Sequence, residues 1–313
     1  GNSIASGGNY NVVVGDEAGT AISTGDYNTS LGYNAGAAVT TAGRNTFIGA
    51  SVGDAITTGE RNVAVGTDAL SADTLGSRSV AIGQAALANQ NLTTATDVYN
   101  TAVGWGAGVN VSTGVQNTLI GGLAGDALTD ADYNVAVGAN ALSSDTLGSR
   151  STALGFNTLA AQNFTTATNA YNVAIGHNAG VANTTGETNT FLGATAGAAN
   201  TSGNNNSAVG YAALFTNILS DRNVAIGNNA LYSHNQATSV DSYNVAVGYD
   251  AGTAVTTGAY NTLLGSLAGD TLTDADYNIA IGYAALTNDT LGSRSVAIGT
   301  AALEAQNFTT ATN

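Results

Sequence analysis

The sequence predicts an all-β fold of the parallel β-solenoid type, and three observations carry that expectation. A pentapeptide of the form N-h-x-h-G, with h an aliphatic residue or Thr, recurs along the chain. "NVAVG" stands at 62–66 and 134–138, and "NVAIG" at 172–176 and 223–227. Its closing glycine returns every 17 residues, stretched to 21 between Gly83 and Gly104, Gly155 and Gly176, and Gly227 and Gly248. Composition agrees: of 313 residues 41 are Gly, none is Pro, Cys or Met, and only 9% are charged, against roughly 25% in an ordinary globular domain.

Three intervals of 17 and one of 21 close a 72-residue super-repeat, laid over 17 coils. Self-similarity at a short fixed period marks units that bury their apolar side only by stacking on one another. The expected organisation is a lead-in at 1–9 followed by a single solenoid domain at 10–313. "QNFTTATN" at 306–313 repeats 162–169 and breaks off inside a coil, as a segment of a longer fibre would.

Each column of the repeat has a physical reading. The residue before the closing glycine is always Val, Ile or Leu, and two residues earlier stands Val, Thr or Ile, with Ser207 the exception. Alternate β-branched and aliphatic positions describe a strand with one buried face, so this pair is expected to fill the coil interior. Three residues after the glycine the column is Ala except for Val52 and Thr158, which implies a close opposing wall and a thin coil. The following column runs Gly36, Gly53, Leu70, Leu87 and repeats, so coil size is expected to vary along the axis. The invariant glycine suggests positive φ or a close backbone approach. Asn opens the pentapeptide in 14 of 17 coils, with Ser79, Ser151 and Ser295 in the rest, the pattern of an amide ladder.

The residue before that Asn is Tyr eight times and Arg six times, and those six arginines are every basic residue in the chain. "DTLGSR" at 73–78, 145–150 and 289–294 places an Asp five residues before an Arg, which suggests loop-bracing ion pairs. The middle strand position, expected to face outward, is Ala in 11 coils and Phe47, Leu119, Phe191 and Leu263 once per super-repeat. A strand apolar on both faces is covered on both. These four residues are therefore the expected subunit interface of a parallel homo-oligomer.

A net charge of -15 repels nucleic acid and anionic lipid. No apolar stretch approaches the roughly 20 residues that cross a bilayer, so neither nucleic-acid binding nor membrane insertion is expected.

At this point "NVAIG" and "SVAIG", each followed by xxAL or xxAG, resemble the head repeats of YadA-like trimeric autotransporter adhesins. That resemblance implies a left-handed parallel β-roll and a homotrimer. The longer units "GYNAGAAVTTAGRNTFIG" at 32–49 and "GYDAGTAVTTGAYNTLLG" at 248–265 are similar to repeats of bacteriophage tail fibres. The resemblance covers about residues 10–303 and implies an extracellular location, on a virion tail fibre or a bacterial surface, with a cell-surface glycan or protein as receptor. The coil here is longer than that of the YadA-like roll.

No constellation for catalysis stands out, and the chain is not expected to be an enzyme. His177 and His234 belong to different columns, with no thiol to share a metal. Asp130 with Asp132, and Asp274 with Asp276, sit in "TDADYN" loops that resemble a Ca²⁺ loop in miniature, though solvated loops are the preferred reading and Ca²⁺ the lesser one; otherwise no cofactor is expected. Tyr33, Trp105, His177 and Tyr249 follow the closing glycine at 72-residue spacing and form a candidate ligand-facing aromatic column that could stack on sugar rings. The functional expectation is a structural and adhesive fibre segment, with a phage tail fibre preferred. A bacterial adhesin, a pure spacer or filament subunit, and an ice-binding solenoid are the alternatives.

Overall fold

The computed structural model describes residues 7–311, so residues 1–6 of the expected lead-in lie outside the described residues. The protein is an all-β parallel solenoid of about 17 turns, and no helix occurs among the described residues. Its coils fall into two units, Gly1–Ser151 with Asn163–Asn169, and Thr152–Gln162 with Ala170–Asn313.

In the first unit, three-residue strands run from Val12–Val14 to Val135–Val137. Neighbours pair in parallel without slippage, so that Val63, Ala64 and Val65 face Val80, Ala81 and Ile82. The second unit repeats this from Thr152–Leu154 to Val296–Ile298. The four extra residues of the longer coils are absorbed by small second sheets. In the first unit Gly76–Ser77 pairs with Thr96–Asp97, and Gly148–Ser149 with Thr168–Asn169. The corresponding place in the second unit holds a single bridge between Asp221 and Asp241.

The strand faces the opposite way from the sequence expectation. Its middle residue points into the coil: Ala64, Ala81, Phe47, Leu119, Phe191 and Leu263 are fully buried within the chain. The flanking aliphatic positions point out, and Leu31, Ile82, Leu154, Leu192 and Ile226 are exposed. Phe47, Leu119, Phe191 and Leu263 are therefore core residues and cannot line a subunit interface. The reason is the five-residue frame. The opening Asn is buried, and a strand alternates, so the third position goes inward with it and the second and fourth go out.

This orientation also explains the Gly/Leu column, in which volume passes from one wall of the coil to the other. Gly36 and Gly53 lie against the ring of Phe47, and a Cβ added at either would come within 2.8 Å and 2.5 Å of it. Where the strand carries Ala64 and Ala81, the facing column carries the buried Leu70 and Leu87. Where both walls are small, as at Ala102 with Gly108, the side chains of neighbouring coils reach in, Leu119 and Leu87 lying closest to Gly108, which keeps the packing dense.

The closing glycine answers to both readings offered for it. Gly66 has φ +133°, and a Cβ there would lie 2.5 Å from the Gly83 carbonyl oxygen of the next coil. Backbone on both sides leaves no room to shift.

The opening asparagines form the expected ladder and do more than pair with one another. Asn62 Oδ1 accepts the backbone N–H of Ser79 at 2.8 Å, and Asn62 Nδ2 donates to the Gly76 carbonyl at 2.9 Å. Each amide thus satisfies a backbone donor and a backbone acceptor that the short strands leave over. Where Ser79 replaces Asn, Gln90 takes up the role. Its Nε2 donates to Ser79 Oγ at 3.0 Å and to Asp73 Oδ2 at 2.6 Å, and its Oε1 accepts from Asn100 Nδ2 at 2.9 Å. Asp73 is wholly buried and accepts from the Gly76 N–H at 2.9 Å. Burial pushes its carboxyl up, while Gln90 and Gly76 pull it back. The first carboxylate of "DTLGSR" therefore does not brace Arg78, which instead pairs with Asp97 at 2.7 Å.

The third super-repeat departs from this scheme. Asn183, Asn200 and Asn217 form a buried amide run, with Nδ2 to Oδ1 distances of 2.7 Å and 3.0 Å. His234 then stands where the other super-repeats have Gln90, Gln162 and Gln306. Its ring is fully buried with no hydrogen-bond partner at either nitrogen. Burial moves it down to about 4, against a weaker opposing pull from the Thr256 backbone. The unfolded chain takes up this proton near 6.5 and the folded chain only near 4, so stability is complete above pH 6.5 and falls as pH drops towards 4. Between pH 7 and pH 5 the loss from this group is about 2 kcal/mol. His234→Gln is expected to remove that loss, read as the difference in urea midpoint between the two pH values. An unchanged difference would show that the ring is not the acid-sensitive group.

Candidate aromatic ligand surface

Exposed aromatic side chains occupy two columns, and their geometry separates them. The first is the Tyr/Arg column before the ladder asparagines. All its residues take left-handed backbone conformations, as at Tyr260 with φ 61° and Arg294 with φ 60°. Successive rings stack face to face: Tyr243 on Tyr260 at 5.4 Å and Tyr260 on Tyr277 at 4.8 Å between centroids. Arg222 lies 5.6 Å over Tyr243 and Arg294 lies 5.4 Å over Tyr277, closing the stack at both ends. The Arg222 carboxylate partner is Asp241. The faces of Tyr243, Tyr260 and Tyr277 are covered by neighbouring coils, leaving edges and hydroxyls for solvent. This column is a stiffening rib, and the arginines act through cation–π stacking as much as through ion pairs.

The second column follows the closing glycine and contains the sequence-predicted aromatics. Tyr33, Trp105 and Tyr249 are exposed, Trp105 by 59%, and no ring contact involves any of the three among the described residues. The Leu123 N–H donates to the Trp105 carbonyl at 2.9 Å, so Gly122 follows Trp105 in this column one coil on, and a Cβ there would meet nothing within 4 Å. His177 differs, because Phe156 stacks on it at 5.5 Å and covers a face. Sequence reasoning missed three members of this column, Phe156, Tyr211 and Tyr283, all exposed. "GYAAL" at 210–214 and 282–286 carried the signal, and reading the column coil by coil finds them.

The four loop carboxylates brace neighbouring coils. Asp130 Oδ1 accepts from Thr113 Oγ1 at 2.6 Å and Asp132 Oδ1 from the Val115 N–H at 2.7 Å. Asp274 and Asp276 repeat both bonds, to Thr257 Oγ1 at 2.5 Å and the Ala259 N–H at 2.8 Å. Among the described residues no group of three or more His, Cys, Asp or Glu side chains is placed to hold a metal ion. No helix among the described residues is long and apolar enough to cross a membrane.

Compared with protein-family models and with curated proteins, the chain matches none.

Proposed function

We propose that the chain is a structural and adhesive segment of an extracellular fibre, most simply a phage tail fibre, assembled as a parallel homotrimer and bearing a receptor-binding surface. The observation that carries the assembly is the outward face of the strands. Within each unit, Thr, Val or Ile at the second position, Ser207 apart, and Val, Ile or Leu at the fourth line the outward face, with Leu154 43% and Leu192 42% exposed. Monomeric soluble proteins rarely leave a contiguous apolar strip of this kind open. The face open to a partner is therefore the outward second and fourth strand positions, the complement of Phe47, Leu119, Phe191 and Leu263. A second copy of the same chain offers the same spacing, one strand per coil, and so matches the strip along its whole run.

Light scattering on the purified segment is expected to give a mass near three times 30.8 kDa. Leu192→Asp together with Ile226→Asp, both on the outward row, is expected to reduce it to a monomer. A monomeric wild-type chain would overturn the assembly.

One observation favours a second reading. Thr29, Thr46, Thr101, Thr118, Thr152, Thr190 and Thr262 occupy the outward second position, and a flat threonine array at strand spacing is what an ice-binding solenoid needs. The array is broken by Val63, Val80, Val135 and Val173, which weighs against it. Thermal hysteresis in a monomeric sample would favour that reading over the fibre.

A further inference from the structure

We infer that the second unit carries a linear binding strip for an extended, neutral, β-linked glycan, built on Tyr211, Tyr249 and Tyr283; the inference rests on the adhesive reading above and names its ligand class. These tyrosines occupy the same column in alternate coils. The register is fixed by backbone hydrogen bonds: the Tyr211 carbonyl accepts from Asn229, that of Asn228 from Asp250, that of Tyr249 from Leu267, and that of Ser266 from Ala284, at 2.9–3.0 Å. The column therefore reads Tyr211, Asn228, Tyr249, Ser266, Tyr283 along the axis, an aromatic ring alternating with a small polar side chain.

Three properties point to a sugar chain. The tyrosines are 59%, 54% and 57% exposed, and none stacks on another ring among the described residues, in contrast to the rib formed by Tyr243, Tyr260 and Tyr277. Their separation is two strand spacings, about 9.6 Å. In a β-1,4-linked hexose ribbon each sugar is rotated by half a turn from the last, so the same flat apolar face returns every second residue, at close to this distance. Asn228 and Ser266 then stand opposite the intervening sugars, where hydroxyl groups need hydrogen-bond partners. Charge selects further: the chain carries -15, and Asp250 lies beside the Tyr249 hydroxyl and raises its pKa, so an anionic polysaccharide is disfavoured.

The strip spans five coils from Tyr211 to Tyr283, four strand spacings or about 19 Å, so rings under every second sugar take a run of about five sugars. Titration calorimetry with cello-oligosaccharides of one to six residues is the test, on the full chain. Affinity is expected to rise with length up to four or five residues and then level off. Tyr249→Ala is expected to weaken binding of the hexaose at least tenfold and to flatten the length dependence. Tyr260→Ala, in the neighbouring rib whose ring faces are already covered, is expected to leave hexaose affinity unchanged. No heat with the hexaose at millimolar concentration, or equal loss in both variants, would overturn the strip. Light scattering on the same samples separates the two readings: a trimer without binding sinks the strip alone, whereas a monomer that binds keeps the strip and sinks the trimeric fibre.

Discussion

Phe47→Ala is expected to destabilise the first unit by about 3–5 kcal/mol, the cost of deleting a fully buried ring from a packed core. The ring lies against Gly36 and Gly53, neither of which has a side chain to move into the space. Urea unfolding followed by circular dichroism measures the change. The repeat itself supplies a rescue. Eight of the eleven coils with Ala in the strand carry Leu in the facing column, and Leu70 sits at φ 54°, the value that Gly53 also has. Gly53→Leu alone drives its side chain into Phe47 and is expected to be as damaging as the first substitution. The double variant Phe47→Ala with Gly53→Leu restores the pairing used one coil later, Ala64 with Leu70, and is expected to recover at least half of the loss. Two damaging changes that together do less harm are the signature of direct contact. A double variant as unstable as the sum of its parts would refute the exchange of volume between walls.

Asn117→Ala is expected to cost about 2–6 kcal/mol, because it strands two buried backbone groups at about 1–3 kcal/mol each. Asn117 Oδ1 accepts the Asn134 N–H at 2.9 Å, and its Nδ2 donates to the Ala131 carbonyl at 2.7 Å. Both Asn134 and Ala131 are fully buried, so water cannot replace the lost partner. Asn117→Ser is expected to be little better. Serine works at Ser79 because Gln90 reaches it 11 residues on, whereas the equivalent of Gln90 beside Asn117 is Leu128, which has no polar atom to offer. The measurement is again the urea transition, read with amide hydrogen exchange to see whether unfolding is confined to the neighbouring coils. Repeat arrays lose stability through nearest-neighbour terms, so protection should fall near residues 100–150 before it falls elsewhere in that unit. A loss below about 1 kcal/mol would mean that the ladder amide is replaceable and its hydrogen bonds are decorative.

Much of this architecture is written in the amino-acid order alone. The 17-residue period, the number of coils, the extra four residues in every fourth coil, the close wall at the Ala column and the amide ladder follow from which residue types recur at which spacing. They are legible because stacking copies every position onto itself, so a side chain that fits once must fit in every coil. The closing glycine is legible for the same reason, since only one residue type survives at a place like Gly66, where backbone closes in on the Cβ position. The aromatic column was half legible: the 72-residue comparison found Tyr33, Trp105, His177 and Tyr249 and passed over Phe156 and the pair Tyr211 and Tyr283, which stand in other coils of the super-repeat.

What only the tertiary structure decided is which face of the strand is inside. A strand has two phases, and a hydrophobic pattern selects between them only when one face is polar. Here both faces are apolar, so Val63 and Val65 looked like core and Phe47 looked like interface. The packing reverses them, because the buried Asn at the start of each strand sets the phase for the residues that follow. The fate of Asp73 was hidden in the same way, since its partner is Gln90, 17 residues along the sequence and one coil away in space, while Arg78 stands nearer in sequence on the outside of the coil. Local spacing names neighbours along the chain; stacking, which adds one strand spacing per turn, decides the neighbours that matter for energy.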